Sequence, residues 1–345
     1  MEYFLGIDYP TLWFLVVGLL FSGYAILEGF DYGAGAWHLF FRKDLSRRIA
    51  INAIGPLWDA NQVFLVIGGG ALFAGFPVMY ATMLSSMYVP FMLFLFLLVL
   101  RSSAIKFRSA EKMLWWRKTW DIIYSVSNIL ISFLLGVVLG NVIEGFEIGE
   151  NLSFQGGVFL HFLSPYAIMV GITTVALFMT QGAIFLLLKT EGRLHARLTF
   201  LLKRGMIFFI ISFSVMSLYT LIFVKGVTEN FKAQPISFVL PVLALLAIAN
   251  VPRLVSKKKY MNALVFSSLT MAFLLMLVAF QLYPVLLPST IDPKYSVTIY
   301  NAASSQKSLG IMLTIVCIGS PLLAGYFLFL YRTFNGKVEL DDTSY

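Results

Sequence analysis

The sequence predicts an all-α polytopic membrane protein with nine transmembrane helices. Hydrophobic residues make up 59% of the 345 residues and charged residues only 12%, a balance that excludes an ordinary soluble globular domain. Apolar stretches recur along the chain, each near the ~20 residues that an α-helix needs to cross about 30 Å of hydrocarbon. Between these stretches, the Lys and Arg residues alternate strongly from one connection to the next.

The nine spans follow the apolar runs in order. They cover residues 12–30, 51–76, 80–100, 120–140, 165–188, 206–224, 236–252, 262–282 and 309–331. The seventh run contains Pro235, Pro241 and Pro252, so its helix is expected to be irregular. Because no linker or shift in composition divides the chain, the spans form a single membrane domain.

Packing considerations group the spans into two four-helix bundles and one peripheral helix. The first bundle would occupy residues 1–140 and the second residues 165–282. The ninth helix, 309–331, would be peripheral and would lead into a tail at 332–345. Composition and periodicity leave this grouping open.

The basic residues orient the chain in the membrane. Every Lys and Arg except Lys225, Lys232, Lys294 and Lys307 lies in an odd-numbered connection or in the C-terminal tail. The positive-inside rule therefore predicts an N-terminus outside the cell and a cytoplasmic C-terminus. The formal net charge of +8 is explained by this topology, and no nucleic-acid partner is predicted.

Three carboxylates, Glu28, Asp31 and Asp59, stand in or beside the first two spans. A charged side chain near the bilayer centre costs about 2.5–3.5 kcal/mol on insertion scales, so a functional or pairing role is the default hypothesis. With Arg101 assigned to the third connection, no basic residue inside the spans is expected to neutralise them.

The predicted helices bring the three carboxylates together near the cytoplasmic side. Glu28 and Asp31 are three residues apart and share one helix face. A first helix that begins near Pro10 places Glu28 about 27 Å along its axis, at the cytoplasmic end. A second helix that begins near Ile49 places Asp59 about 15 Å in from the same side.

These positions predict a proton relay through Glu28, Asp31 and Asp59, with Asn61 and Gln62 as further hydrogen-bonding groups. Neighbouring buried carboxylates can hold and pass protons near neutral pH. Two structural alternatives stay open. The acids could be solvated at the membrane interface, or they could cap backbone groups beside the glycines of the first span.

Other conspicuous residues have structural interpretations. Asp121 opens the fourth span, where an acid complements the helix N-terminus. The run Gly68–Gly70 lacks the Lys-Ser/Thr of a phosphate loop and favours close helix packing. Cys317, the single cysteine, is expected to pack in the interior. Tyr331 fits an aromatic belt at the membrane interface.

The histidines argue against a haem held by this chain alone. There are three, His38, His161 and His195, and the predicted spans leave all of them outside the hydrocarbon core. A transmembrane haem normally takes axial His or Met ligands from helices. No cluster of Cys, His and carboxylate residues has metal-ligand spacing either.

Several motifs in order along the chain identify a family. The most specific are Leu27–Gly35, Arg47–Val63 and Gly68–Pro77. Further matches are Arg101, Phe107–Arg108, Trp120–Asp121, Gly140–Asn141, Thr180–Gly182, Phe266–Leu269, Tyr283–Thr290 and Ser296–Ser305. Over nearly its whole length, the chain resembles subunit II of the cytochrome bd quinol oxidase family.

The resemblance implies two four-helix bundles plus a peripheral helix, paired through a pseudo-twofold axis with a subunit I of similar fold. Subunit I would carry haem b, haem d and the quinol site, while this chain would bind no cofactor alone. The complex would oxidise quinol and reduce oxygen to water in a bacterial or archaeal plasma (inner) membrane, among membrane lipids. A structural quinone in this chain and a small single-span accessory subunit are left open.

By the same resemblance, Asp59 after Trp58 would be a proton-path carboxylate that faces the partner subunit, with Glu28 and Asp31 beside it. This chain would stabilise subunit I and contribute to proton and oxygen access.

The chain departs from the family pattern at three places. Ala60 replaces the usual Gly after the Trp-Asp pair, and Phe64 replaces a usual Trp. The second change puts in doubt an oxygen-entry role for that aromatic position. The connection 225–235 is also short, so an extended outer loop of some relatives is missing.

Two competing functions remain at this stage. Intramembrane acids also mark proton- or cation-coupled secondary transporters, although neither matched broken helices nor an inverted repeat is evident here. The chain could instead be a purely structural partner whose acids are inert.

Overall fold

The structure, a computed structural model, describes residues 3–4, 6–156, 162–224, 231–232 and 234–340. Its α-helices within this part of the chain are α1 (Tyr9–Trp37), α2 (Asp44–Ile54), α3 (Trp58–Asn61), α4 (Val63–Gly75), α5 (Pro77–Ser86), α6 (Tyr88–Phe107), α7 (Leu114–Glu144), α8 (Pro165–Lys189), α9 (Gly192–Phe223), α10 (Val239–Ser256), α11 (Tyr260–Leu282) and α12 (Gln306–Thr333). The strands form two short antiparallel pairs, β1 (Tyr3–Phe4) with β2 (Ile7–Asp8) and β3 (Val285–Leu287) with β4 (Val297–Thr298).

The predicted helical membrane architecture is confirmed. Among the described residues, eight helices are long and apolar enough to cross a membrane. A ninth crossing arises if Asp44–Ile54 and Trp58–Gly75, which meet at 44°, form one bent span. The connection 225–235, whose shortness the sequence analysis noted, lies mostly outside the described residues.

The second span is broken where the chain contains Pro56. Helix α2 ends at Ile54 and α3 begins at Trp58, with a turn between them in which the Leu57 amide donates to the Ile54 carbonyl at 2.8 Å. Proline lacks the amide proton that would continue the helical ladder. Beyond the break, the segment Trp58–Gly75 runs at 44° to α2.

The end of the third span and the start of the fourth lie elsewhere than predicted. The third spanning helix, α6, begins at Tyr88 and continues to Phe107, because a separate short helix, α5, occupies Pro77–Ser86. Arg101 is therefore inside a spanning helix, and its assignment to a connection was wrong. The fourth, α7, begins at Leu114, about two turns before the predicted start.

The first and fifth spans cross almost backbone to backbone. A Cβ atom added to Gly33 would lie 1.8 Å from the carbonyl oxygen of Phe178, and one added to Gly182 would lie 2.3 Å from the amide nitrogen of Ala34. Only glycine fits at such a contact. The segment Glu28–Trp37 of α1 is buried at every residue.

The connections after α7 and after α11 fold back onto the helices. The amide of Phe146 donates to the carbonyl of Pro288 at 2.8 Å, and the amide of Thr290 donates to the carbonyl of Phe146 at 2.9 Å. Ser304 donates through its amide to Gly75 at 2.9 Å and so ties the last connection to the end of α4. These bonds satisfy loop backbone groups without exposing them to lipid.

The close packing predicted for Gly68–Gly70 is seen at one glycine within this chain, and the interior packing predicted for Cys317 is not seen. A Cβ atom at Gly68 would lie 3.4 Å from the ring of Phe21 and 3.7 Å from Leu20, whereas one at Gly69 or Gly70 would meet nothing within 4 Å. Cys317 is exposed on α12. The physical reason is common to both. In a membrane, an apolar or small residue can face outward from its own chain without the hydration cost it would incur in water.

Candidate functional site

A fully buried ion cluster joins α1 to α6. Nη1 of Arg101 lies 2.9 Å from Oε2 of Glu28, and Nη2 lies 3.9 Å from Oδ2 of Asp31. None of the three side chains has any exposed surface. The prediction that Glu28 and Asp31 share a helix face is confirmed, whereas the expectation that no basic residue neutralises them was wrong.

Arg101 lies on the buried face of α6, as the helical repeat requires. The buried residues of this helix include Leu97, Arg101, Ala104 and Ile105, which lie on one face at intervals of four, three and one residues. Because this face packs in the protein interior, the guanidinium is directed at α1 and not at the membrane interface. A helix ended at residue 100, as predicted, would have left Arg101 in water.

The broken second span supplies the next polar group. Asn61, the last residue of α3, donates from Nδ2 to Oδ2 of Asp31 at 2.8 Å. Its carbonyl oxygen, Oδ1, accepts a hydrogen bond from the Tyr331 hydroxyl at 3.1 Å. Asn61 is buried, as is Trp58 at the start of the same short helix. Tyr331, predicted to lie in an aromatic belt at the membrane interface, thus contacts a buried polar group through its hydroxyl.

Aromatic rings enclose the guanidinium. The Arg101 guanidinium carbon lies 4.6 Å from the centroid of the Tyr32 ring and 5.9 Å from the Trp58 ring. Such contacts stabilise a desolvated cation electrostatically. Tyr32 also shares a 2.6 Å hydrogen bond with the hydroxyl of Tyr24, and both tyrosines are buried.

Asp59 lies outside this enclosure. Its neighbours Trp58 and Ala60 are buried, but Asp59 itself is exposed on the surface of the isolated chain. Gln62 is partly buried, and its Nε2 atom is enclosed without a hydrogen-bond partner among the described residues. The predicted set is thus divided into a buried group and one exposed carboxylate.

In the cluster of Glu28, Asp31 and Arg101, some buried polar atoms have no hydrogen-bond partner. Within the described residues, Oε1 of Glu28, Oδ1 of Asp31 and Nε of Arg101 are buried and make no hydrogen bond. Buried polar atoms in proteins almost always have a partner, and internal water commonly supplies it. The arrangement is therefore suited to hold water between the carboxylates and the guanidinium.

A second ion cluster has Asp121 at its centre. Its Oδ1 atom lies 2.5 Å from Nε2 of His38 and accepts a hydrogen bond from Nε of Arg108 at 2.5 Å. Its Oδ2 atom accepts a bond from Nη1 of Arg47 at 2.8 Å. These residues follow α1 and α6 or lie on α2, so one carboxylate on α7 ties together four segments.

Asp121 stabilises the fold, as predicted, but through a different contact. The expected interaction was with the N-terminus of its helix, yet α7 begins at Leu114 and a helix dipole acts mainly within the first turn. Side-chain cations balance its charge instead. His38 follows α1 and is fully buried within the protein.

Arg108 extends this cluster into the connection between α6 and α7. Its Nη2 atom donates to Asp44 at 2.5 Å, and Arg117 donates to the other oxygen of Asp44 at 3.1 Å. Burial lowers the pKa of the Arg108 guanidinium, but its bonds to Asp121 and Asp44 outweigh burial and raise that pKa. Arg108 therefore stays charged throughout the physiological pH range.

The remaining histidines lie away from both clusters or outside the described residues. His195 sits near the start of α9, where Nδ1 is 3.2 Å from the Thr190 carbonyl and the ring packs edge-on against Tyr260. His161 belongs to the undescribed residues. Within the described part of the chain, no group of three or more His, Cys, Asp or Glu residues could hold a metal ion.

Sequence reasoning missed Arg101, Tyr331 and His38 as partners of the acidic residues. For Arg101 a signal was available, because the apolar pattern resumes at Ile105 and Phe107 and predicts that the helix continues past the arginine. No local signal pairs Tyr331 with Asn61, since 270 residues separate them.

The comparisons with known proteins agree with one another. The family model described as cytochrome bd terminal oxidase subunit II matches residues 9–334. The chain is 31% identical to cytochrome bd-I ubiquinol oxidase subunit 2 of Escherichia coli strain K12, over 97% of each chain. It is 32% identical to cytochrome bd ubiquinol oxidase subunit 2 of Bacillus subtilis strain 168, over 95% of this chain and 96% of that one. Its fold is similar to the structure of bd oxidase from Geobacillus thermodenitrificans, with a TM-score of 0.75 over 94% of this chain and 98% of that one, at 21% identity.

Proposed function

The chain belongs to the cytochrome bd terminal oxidase subunit II family, and on this premise we propose that its buried carboxylates form part of the proton route of the oxidase. Membership makes the chain subunit II of a cytochrome bd-type quinol oxidase, a haem-containing, quinol:oxygen oxidoreductase complex of the bacterial membrane. It also implies a partner, subunit I. The relatives reported above are named as oxidase subunits, and none of them as a transporter.

The observation that supports the proton route is the fully enclosed cluster of Glu28, Asp31 and Arg101. Two carboxylates face one guanidinium, so full ionisation would leave a net negative charge in an apolar interior, which is energetically costly. One exchangeable proton shared by the two carboxyl groups makes the cluster neutral. A group of this kind can take up a proton and release it.

Water is the natural carrier between the fixed groups. The unpaired oxygens of Glu28 and Asp31 and the unpaired Nε of Arg101 provide the two to four polar contacts that an internal water needs. Asn61 and Gln62 line the approach, and the Trp58 ring packs against Arg101. In this proposal Asn61, Gln62 and Trp58 orient the route, and the carboxyl groups carry the proton.

Asp59 would connect the cluster to subunit I. An exposed carboxylate on a spanning segment is costly in lipid, so a covering partner is its expected environment in the assembled complex. We infer that Asp59 faces subunit I and exchanges protons across that interface. The open surface at Gly69 and Gly70, on the helix that follows, supports close approach of a partner helix there.

The redox chemistry belongs to subunit I in this proposal. Haem b, haem d and the quinol site would lie there, and electrons would pass from quinol to oxygen. The described histidines of this chain do not fit axial haem ligation, because His38 contacts Asp121 through Nε2 and His195 packs its ring on Tyr260. This subunit would stabilise subunit I and admit cytoplasmic protons.

The basic connections support a cytoplasmic C-terminus and an outer N-terminus. The proton cluster would then be reached from the cytoplasm, because Arg101 lies near the end of α6 that leads into the basic connection containing Arg108 and Lys112. A fluorescent protein fused after Tyr345 should be bright in cells, whereas alkaline phosphatase at the same place should be inactive. The opposite pattern would reverse the assigned direction of proton uptake.

Purification in mild detergent tests the assignment as a whole. The tagged chain should copurify with a haem-bearing partner, and the preparation should show reduced-haem absorbance and quinol oxidase activity. In that complex, Asp31→Asn should slow quinol oxidation without changing haem content. Glu111→Gln, at an exposed acid on the cytoplasmic side, is the matched control. Equal turnover in both variants would refute the proton role of Asp31.

A further inference from the structure

The ninth spanning helix, α12, is largely exposed, yet one of its residues, Tyr331, contacts the group around Asp31. Along this helix, Ile318, Leu322 and Phe329 are 66%, 73% and 67% exposed, as expected of a peripheral helix. Tyr331 behaves differently. It is partly buried, and its hydroxyl donates to Oδ1 of Asn61 at 3.1 Å.

The contact continues from Asn61 to a carboxylate. Nδ2 of Asn61 donates to Oδ2 of Asp31 at 2.8 Å, so the amide group is held between Tyr331 and Asp31. A carboxylate only accepts hydrogen bonds, and it therefore requires the amide nitrogen on its own side. The Tyr331 hydroxyl completes this arrangement by donating to the oxygen on the other side.

The structure also fixes the end of α12 that carries Tyr331. Nζ of Lys189 donates to the carbonyl of Phe334 at 2.5 Å, and the amide of Val338 donates to the carbonyl of Lys189 at 3.0 Å. Nζ of Lys337 donates to the carbonyl of Thr190 at 3.0 Å. The cytoplasmic end of α12 is thereby anchored to the end of α8, within this chain and without help from a partner.

From these contacts we propose that Tyr331 is a positioning residue, which acts through Asn61 to hold the carboxylate of Asp31 for proton transfer. The peripheral helix thus does more than cover the second span. It orients a buried acid of the other helices through two hydrogen bonds in series. This inference rests on the proton role proposed above for Asp31.

The test is a double-mutant cycle in the assembled two-subunit complex. Tyr331→Phe removes the hydroxyl and keeps the ring, Asn61→Leu removes the amide, and the third variant carries both changes. Each single change should lower quinol oxidase turnover about twofold to tenfold, which corresponds to a net hydrogen-bond contribution of ~0.5–1.5 kcal/mol at ~1.4 kcal/mol per factor of ten. Tyr326→Phe, at an exposed tyrosine of the same helix, should leave turnover unchanged.

The proposal is tested by whether the effects of the Tyr331 and Asn61 substitutions on turnover depend on each other. If Tyr331 acts through Asn61, the double variant should be no slower than Asn61→Leu alone, and both should show the same displacement of the pH profile of turnover. Multiplied defects, or a Tyr331→Phe complex with the turnover and pH profile of the unsubstituted protein, would overturn the proposal. Haem content should stay constant in all variants. Should Asn61→Leu fail to assemble, Asn61→Ser removes the amide with a smaller side chain and completes the cycle.

The proposed proton role is tested separately by Asp31→Asn. If that variant has normal turnover at every pH, the proton role fails and the inference about Tyr331 fails with it. If Asp31→Asn is slow while Tyr331→Phe is normal, the proton role stands and only the positioning role is refuted.

Discussion

Nη1 of Arg101 lies 2.9 Å from Oε2 of Glu28, and neither side chain is exposed at all. The pair joins the third spanning helix to the first in the interior of the chain. Because each ion lies away from bulk solvent, each depends on the other for compensation of its charge. This dependence leads to a first prediction.

Arg101→Leu should destabilise the complex by about 3–5 kcal/mol, the cost of leaving a buried charge without its partner. Adding Glu28→Gln to Arg101→Leu should recover part of this loss, because the uncompensated carboxylate is then removed. Haem absorbance retained after heating measures both effects. Arg117→Leu, which breaks the half-exposed contact with Asp44, should cost less than ~1 kcal/mol. Equal stabilities for the two arginine variants would contradict this account.

Asp59→Asn should leave assembly and haem content intact but slow quinol oxidation. Asparagine cannot take up and release a proton, and the defect should grow as the pH rises because cytoplasmic protons become scarcer. Turnover of the purified complex across a pH series checks this, with Glu111→Gln as the control. A defect independent of pH would argue against a proton role, and loss of the complex would indicate a structural one.

Gly33→Ala should prevent normal assembly. The added Cβ would lie 1.8 Å from the Phe178 carbonyl oxygen, so α1 and α8 would have to separate. Overpacking of this kind costs at least the ~1–3 kcal/mol typical of an added methylene group. Gly18→Ala, on the same helix with nothing within 4 Å of the new atom, is the matched control. The yield of haem-loaded complex from membranes should fall only for Gly33→Ala.

Asp121→Asn should loosen the ends of the first four spans that meet at Asp121, without changing the intrinsic turnover of the complexes that remain folded. The change removes the charge that His38, Arg47 and Arg108 contact, and we expect a loss of about 3–5 kcal/mol in the free energy of unfolding. Thermal inactivation and limited proteolysis of the connections between these spans measure it. Asp44→Asn is the control, since 49% of that side chain is exposed and its pairs should contribute under ~1 kcal/mol.

A normal protease pattern in Asp121→Asn would show that the cluster is not needed to hold these ends together. A lower turnover per haem in the folded fraction would connect Asp121 to the catalytic cycle, contrary to the separation of the two ion clusters described above.

Part of the candidate site was predictable from the sequence, and the parts that were not have identifiable physical reasons. Glu28 and Asp31 lie three residues apart in one helix, so their shared face follows from helical geometry alone. Whether Arg101 lies in the protein interior or in a connection depends on where α6 ends. Helix ends are poorly marked in a sequence where an apolar run gives way gradually to basic residues. A boundary error of a few residues therefore removed the cation from the predicted site.

The exposed glycines illustrate a different limit. Gly68–Gly70 predicted close packing, but Gly69 and Gly70 face open space in this chain. The pattern of small residues identifies a surface that a helix can approach, without saying whether that helix belongs to the same chain. The exposure of Cys317 has the same origin, because hydropathy does not distinguish burial in protein from contact with lipid.

Composition, and spacing within single elements, were enough to predict the membrane class, the apolar spans, the family and the local grouping of Glu28 with Asp31. Helix packing was needed to show that Arg101 neutralises Glu28, that Asp121 contacts His38, Arg47 and Arg108, and that Tyr331 reaches Asn61 across 270 residues. The physical reason is that a charge or hydrogen bond acts over a few ångströms in space, and helix packing sets those distances between residues far apart in the chain.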